Sequence, residues 1–137
     1  MSDCWDSFAV GTIIAWEFSF SKDDVSRFSE LSKDSNPLHF DMDFAIEKGF
    51  CQPILFGGLL ASQLSRLVGE ELFDQNSMLL GYSVSFKAPA FSGCTYYFNA
   101  VLEKKTTCTG YMLFEFEIVD DLKTIICNGK VEALWKP

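Results

Sequence analysis

One histidine, His39, serves the whole chain, and basic residues are scarce: eleven Lys and Arg against nineteen Asp and Glu, a net charge of −8. Such a field repels nucleic acid and anionic membrane surfaces, so neither is expected as a partner. An anionic ligand would need a local basic patch or backbone N–H groups. CxxC pairs are missing as well. The five cysteines, Cys4, Cys51, Cys94, Cys108 and Cys127, are odd in number and widely spaced, which argues against a disulfide framework or a zinc site, and no metal ligand set is expected. No apolar run approaches the roughly 20 residues that span a bilayer. The start, MSDCWDSF, lacks the basic and apolar segments of a signal peptide, so a reducing cytoplasm is the simplest expectation. Repeats, low-complexity tracts and linkers are also lacking, which leaves one domain over residues 1–137. What is present is a globular composition, 48% hydrophobic and 22% charged, on a chain long enough to bury a core.

Residues 11–20, GTIIAWEFSF, are β-branched and aromatic and predict a first strand. Ser21, with Asp24 three residues on, reads as a capping-box helix start. Val25, Phe28 and Leu31 recur at intervals of three and predict one apolar helical stripe. Pro37 stops or forbids that helix and pushes Asn36 out of the α region. DMDFAIEKG predicts a short second helix stopped by Gly49. The stretch PILFGGLLASQLSRLVGEELF (53–73) carries Leu59, Leu60, Leu64, Leu67, Val68 and Leu72 at helical spacing. Its apolar face is wide enough for a helix buried in the fold. Residues 77–86, 95–103, 110–119 and 123–135 predict four strands that can pair as a meander, with plain alternation in LFEFEIV (113–119). One long helix against such a sheet is an α+β layer arrangement.

The stretch KDSNPLHFD (33–41) places Asp34 five residues before His39, with Asn36 and Pro37 between them. A bland reading is a helix end and an ordinary turn with a surface histidine. A sharper one is a proline-stiffened loop holding a carboxylate and an imidazole at fixed separation around one water, as acid–base chemistry requires. Imidazole titrates near neutrality, which suits such work. Gly57 and Gly58 open the long helix about twenty residues later. Free N–H groups at a helix start carry partial positive charge and could polarise a substrate carbonyl. The glycines could equally serve only close packing of helix on sheet. From the residues alone the two readings stand level.

Taken together, L31-S-K-D-S-N-P-L-H-F-D-M-D-F-A45, Q-P-I-L-F-G-G-L-L-A-S (52–62) and G-Y-S-V-S-F-K-A-P-A-F-S-G (81–93) resemble the MaoC-like R-specific enoyl-CoA hydratases and dehydratases. The family motif D-x-N-P-x-H, five free positions and a small residue falls on Asp34, Asn36, Pro37, His39 and Ala45. The resemblance implies a hot-dog fold, a long central helix wrapped by an antiparallel sheet, usually paired into a homodimer. It also implies reversible hydration of a trans-2-enoyl thioester to the R-3-hydroxyacyl thioester. Asp34 and His39 are then the catalytic pair. Asn36, Phe56, Gly57, Gly58 and Ser65 are expected to meet the substrate or its water, with the Gly57 N–H on the thioester carbonyl. The substrate, an acyl thioester, brings its own coenzyme A or phosphopantetheine, so no separate cofactor is expected. The acidic balance suits docking of an acidic carrier protein poorly and favours free coenzyme A. Lys87, Lys104, Lys105 and Arg66 are candidates to meet phosphates.

Three positions depart from the family pattern. Lys33 stands where glycine is usual, so its side chain bears on Asp34 or the pocket mouth, or points to solvent. Phe56-Gly57-Gly58 replaces histidine-glycine-methionine, and Cys94 replaces an aspartate. These departures keep two other readings in view: a hot-dog thioesterase, which the D-x-N-P-x-H pattern disfavours, and a non-catalytic module that binds acyl thioesters or their carrier protein.

Overall fold

Trp5, fully buried, anchors a helix that the sequence patterns do not mark. The computed structural model describes residues 3–137, so the first two residues of the expected domain lie outside it. Helix α1 (Asp3–Ser7) stacks Trp5 on Trp135 at 4.9 Å and sets it edge-on to Phe73. Lys105 lies 4.6 Å above the Trp5 ring and donates to the carbonyls of Trp5 and Phe8, so a lysine satisfies the last turn of this helix.

Strand β1 (Ile13–Phe18) and helix α2 (Lys22–Ser32) follow. Ser21 caps α2 by accepting from the Asp24 N–H, and the Asp24 carboxylate accepts from the Ser21 N–H, closing the expected capping box. Those bonds, from the Ser21 backbone above all, hold the Asp24 carboxyl below its ordinary range. Val25 is buried and Phe28 half-buried, but Leu31 is 83% exposed, against the expected stripe. Each step of three residues turns the face by about 60°, which sets Leu31 about 120° from Val25.

A one-turn 3-10 segment (Pro37–His39), helix α3 (Met42–Glu47) and helix α4 (Gly57–Gly69) complete the first half. The α4 helix is shorter than the 53–73 pattern. Residues 53–56 approach it as non-helical chain, and Leu72 is buried beyond its end. Leu60, Leu64, Leu67 and Val68 of α4 enter one core with Phe98, Phe114, Ile118 and Val131 of the sheet.

The sheet is antiparallel: β2 (Ser77–Phe86), β3 (Tyr96–Thr106), β4 (Tyr111–Val119) and β5 (Ile125–Trp135) with β1, in the order β1-β3-β4-β5-β2. Only β3-β4-β5 is a meander. The four-strand meander is corrected because β1 occupies the free edge of β3, and residues 87–95 carry the chain from β2 to the far side of the sheet. Hence β2 pairs with β5 and leaves its other side as a sheet edge. The helix wrapped by an antiparallel sheet is the hot-dog arrangement. Among the described residues no helix is long and apolar enough to cross a membrane.

Candidate active site

Helix α2 ends where Lys33 turns left-handed (φ 64, ψ 16), its N–H bonded to the Ser29 carbonyl at 2.9 Å. That geometry explains why glycine suits the position: a Cβ is penalised at positive φ. Lys33 is exposed, so its side chain takes the solvent-facing option. Lys33→Gly is expected to raise unfolding stability by about 0.5–1 kcal/mol, the relief of strain outweighing the freer unfolded chain. Urea denaturation checks this, and a loss of stability would contradict it.

The loop beyond is closed on itself. Ser29 Oγ donates to the Asp34 carbonyl at 2.6 Å, Ser32 Oγ accepts from the Asp34 N–H at 3.2 Å, and Asp34 Oδ1 accepts from the Asn36 N–H at 3.0 Å. Asn36 Oδ1 in turn accepts from the Leu38 N–H at 2.9 Å, capping the turn that Pro37 begins. Asn36 is thus a loop-shaping residue. Asp34 has its second carboxylate oxygen left over from these bonds, on an exposed loop.

His39 is held from another direction. The Ile54 N–H donates to the Leu38 carbonyl at 3.2 Å, and His39 Nδ1 lies 2.8 Å from the Ile54 carbonyl. A carbonyl only accepts, so Nδ1 carries the proton and Nε2 of the neutral ring is the basic nitrogen. The imidazole face stacks on Phe56, centroids 3.8 Å apart and planes 28° from parallel. Phe56 is 2% exposed. Phe56, expected to meet substrate, lies beneath the histidine, in the core.

Phe56 is also the N-cap residue of α4, and its side chain makes no cap. The Gly57 and Gly58 N–H groups precede the first intrahelical bonds and have no acceptor within the helix. Both readings of the glycines have a physical basis. A Cβ on Gly57 would come within 2.8 Å of the Phe86 ring, and one on Gly58 within 2.5 Å of the Phe28 ring. Close packing accounts for the absent side chains, while the backbone donors stay in place.

A cavity of about 360 Å³ opens beside His39, walled by Val25, Phe40, Met42, Ile54 and Leu55 with Lys22, Ser26, Gln52 and Ser92 among its polar residues. Asp34, Gly57, Gly58 and Ser65 are not in its wall, and Ser65 lies on the exposed side of α4. Sequence reasoning missed Lys22, Gln52 and Ser92, which carry no local signal of convergence, and it missed the Ile54 carbonyl, a backbone group. Two phosphate candidates are engaged elsewhere. Arg66 pairs with Glu71 at 2.8 Å and lies over Trp16, and Lys105 serves α1. Lys87 and Lys104 stay exposed. The cysteines are unpaired; burial pushes the Cys127 thiol up to about 11, which leaves it inert. Among the described residues no three His, Cys, Asp or Glu side chains gather as a metal site.

A helix cradled by one antiparallel sheet, with an Asp–Asn–Pro–His loop over the helix start, defines a hot-dog protein with hydratase-type motifs. The chain belongs to the MaoC like domain family, whose model matches residues 12–116. An (R)-specific enoyl-CoA hydratase of Aeromonas caviae is 44% identical over 87 residues, 64% of this chain and 65% of that one. A mitochondrial 3-hydroxyacyl-(acyl-carrier-protein) dehydratase of Solanum lycopersicum is 31% identical over 84 residues, 61% of this chain and 50% of that one. These matches span less than two thirds of either relative's length. A solved structure of an (R)-hydratase from A. caviae involved in PHA biosynthesis superposes with a TM-score of 0.88 at 31% identity, covering 95% of this chain and 98% of that one.

Proposed function

We propose that the protein adds water reversibly across the double bond of a trans-2-enoyl thioester, giving the R-3-hydroxyacyl thioester. The observation that carries this reading is the His39 Nδ1–Ile54 contact, which leaves Nε2 as the basic nitrogen on the loop that also carries Asp34. Asp34 accepts a hydrogen bond from the water, whose hydrogen stays on the oxygen, and orients it. His39 Nε2 takes the other proton as the hydroxide bonds to C3, and returns it to C2. The electron pair of the alkene passes through C2 towards the thioester carbonyl during addition. The Gly57 N–H, on the uncapped helix start, is suited to stabilise the oxyanion this creates. Similarity to the Aeromonas hydratase supports the same class of substrate. Coenzyme A is the proposed carrier, since a net charge of −8 opposes an acidic carrier protein.

The proposed assembly is a homodimer. Strand β2 is a sheet edge with exposed Met78, Leu80 and Tyr82, the kind of edge that a second strand covers. Sedimentation is expected to return twice the chain mass; a monomer at micromolar concentration would remove this part of the reading. For the reaction itself, purified protein incubated with crotonyl-CoA and longer enoyl-CoAs is expected to give 3-hydroxyacyl-CoA. Release of free thiol without hydration would identify a thioesterase instead. Tight binding without turnover would identify a binding module.

A further inference from the structure

Phe56 occupies a position that helices normally give to Ser, Thr, Asp or Asn, because those side chains satisfy the first N–H groups. A phenylalanine there forgoes that stabilisation. What it does instead is visible in its contacts: the His39 imidazole stacks on its ring at 3.8 Å, Phe28 packs against it at 4.9 Å and Phe40 meets it edge-on at 6.0 Å. His39 thus has two fixed points, the Ile54 carbonyl for Nδ1 and the Phe56 face for the ring plane. Both belong to the segment that leads directly into Gly57. The imidazole and the helix-start donors therefore share one rigid support.

We propose that Phe56 is a positioning residue: its ring sets the plane of the His39 imidazole. This rests on the hydratase reading, but half of its test does not. His39 is the chain's only histidine, so imidazole resonances of tag-free protein report on it alone. Stacking places its carbon-bound protons in the ring current of Phe56, and an upfield shift is expected. Phe56→Leu should remove that shift. It should also lower kcat about tenfold or more with KM within about threefold. Phe56→His, which restores a flat ring, should recover most of kcat although a buried imidazole is worse for stability than leucine.

Activity that follows ring planarity while melting temperature follows apolarity separates positioning from packing. Phe98→Leu, a core change whose ring partners are Trp16 and Phe116, is the control for destabilisation alone. If Phe56→Leu does not fold, Phe56→Met against Phe56→His makes the same comparison. Unchanged imidazole resonances, or full kcat, in the leucine or methionine variant would overturn the proposal. A wild-type protein with shifted resonances and no turnover would instead sink the hydratase reading and leave the stacking intact.

Discussion

Replacing His39 by alanine is expected to lower enoyl-thioester hydration by about a hundred- to ten-thousand-fold, the usual contribution of a positioned acid–base group. No other imidazole exists in the chain to substitute for it. Asp34→Asn is expected to show a loss of the same order. It is the cleaner variant, since an amide oxygen can still accept from the Asn36 N–H, so the loop keeps its shape while the water loses a charged acceptor. Asp34→Asn should melt close to wild type, since Asp34 is exposed, while His39→Ala also gives up the Ile54 bond and the Phe56 stack and is expected to melt lower. Steady-state rates with crotonyl-CoA, read beside circular dichroism, check the expectation. Full activity in both folded variants would remove Asp34 and His39 from their roles.

Gly57→Pro carries the other large effect. Gly57 is the first helical residue, where proline costs no intrahelical bond. Phe56 already has φ −61 and ψ 135, the extended backbone that a following proline demands. The substitution therefore deletes one N–H and little else of the helix. Losing that donor is expected to lower kcat by about a hundred- to a thousandfold. Gly57→Ala is the matched control. Its Cβ meets the same Phe86 ring, which is exposed and free to give way, but its N–H remains. Equal rates in the proline and alanine variants would mean that the thioester carbonyl is held elsewhere.

Legibility in the sequence followed the range of the interactions. The capping box of Ser21 and Asp24, the stop at Gly49 and the alternation in β4 depend on residues within a few positions of one another, and each was readable. Partners distant in sequence were not. Alternation marks a strand without naming its neighbour, so the pairing of β2 with β5 was invisible. The five-residue α1 has no period to detect, and its stability comes from Trp135 and Lys105, both a hundred residues or more away. Within the site, the Asp34–Asn36–Pro37–His39 loop is local and was legible. Phe56 lies under the His39 ring, seventeen positions earlier, a contact that carries no local signal. Lys33 looked like a chemical departure, whereas its left-handed backbone makes the position a conformational one.

The configuration of the product tests the central claim most directly. Purified protein given trans crotonyl-CoA in water should yield 3-hydroxybutyryl-CoA that is R at C3, resolved by chiral chromatography after hydrolysis. Formation of the S product, or no hydrated product, would contradict the assignment of this Asp–His loop to R-specific hydration.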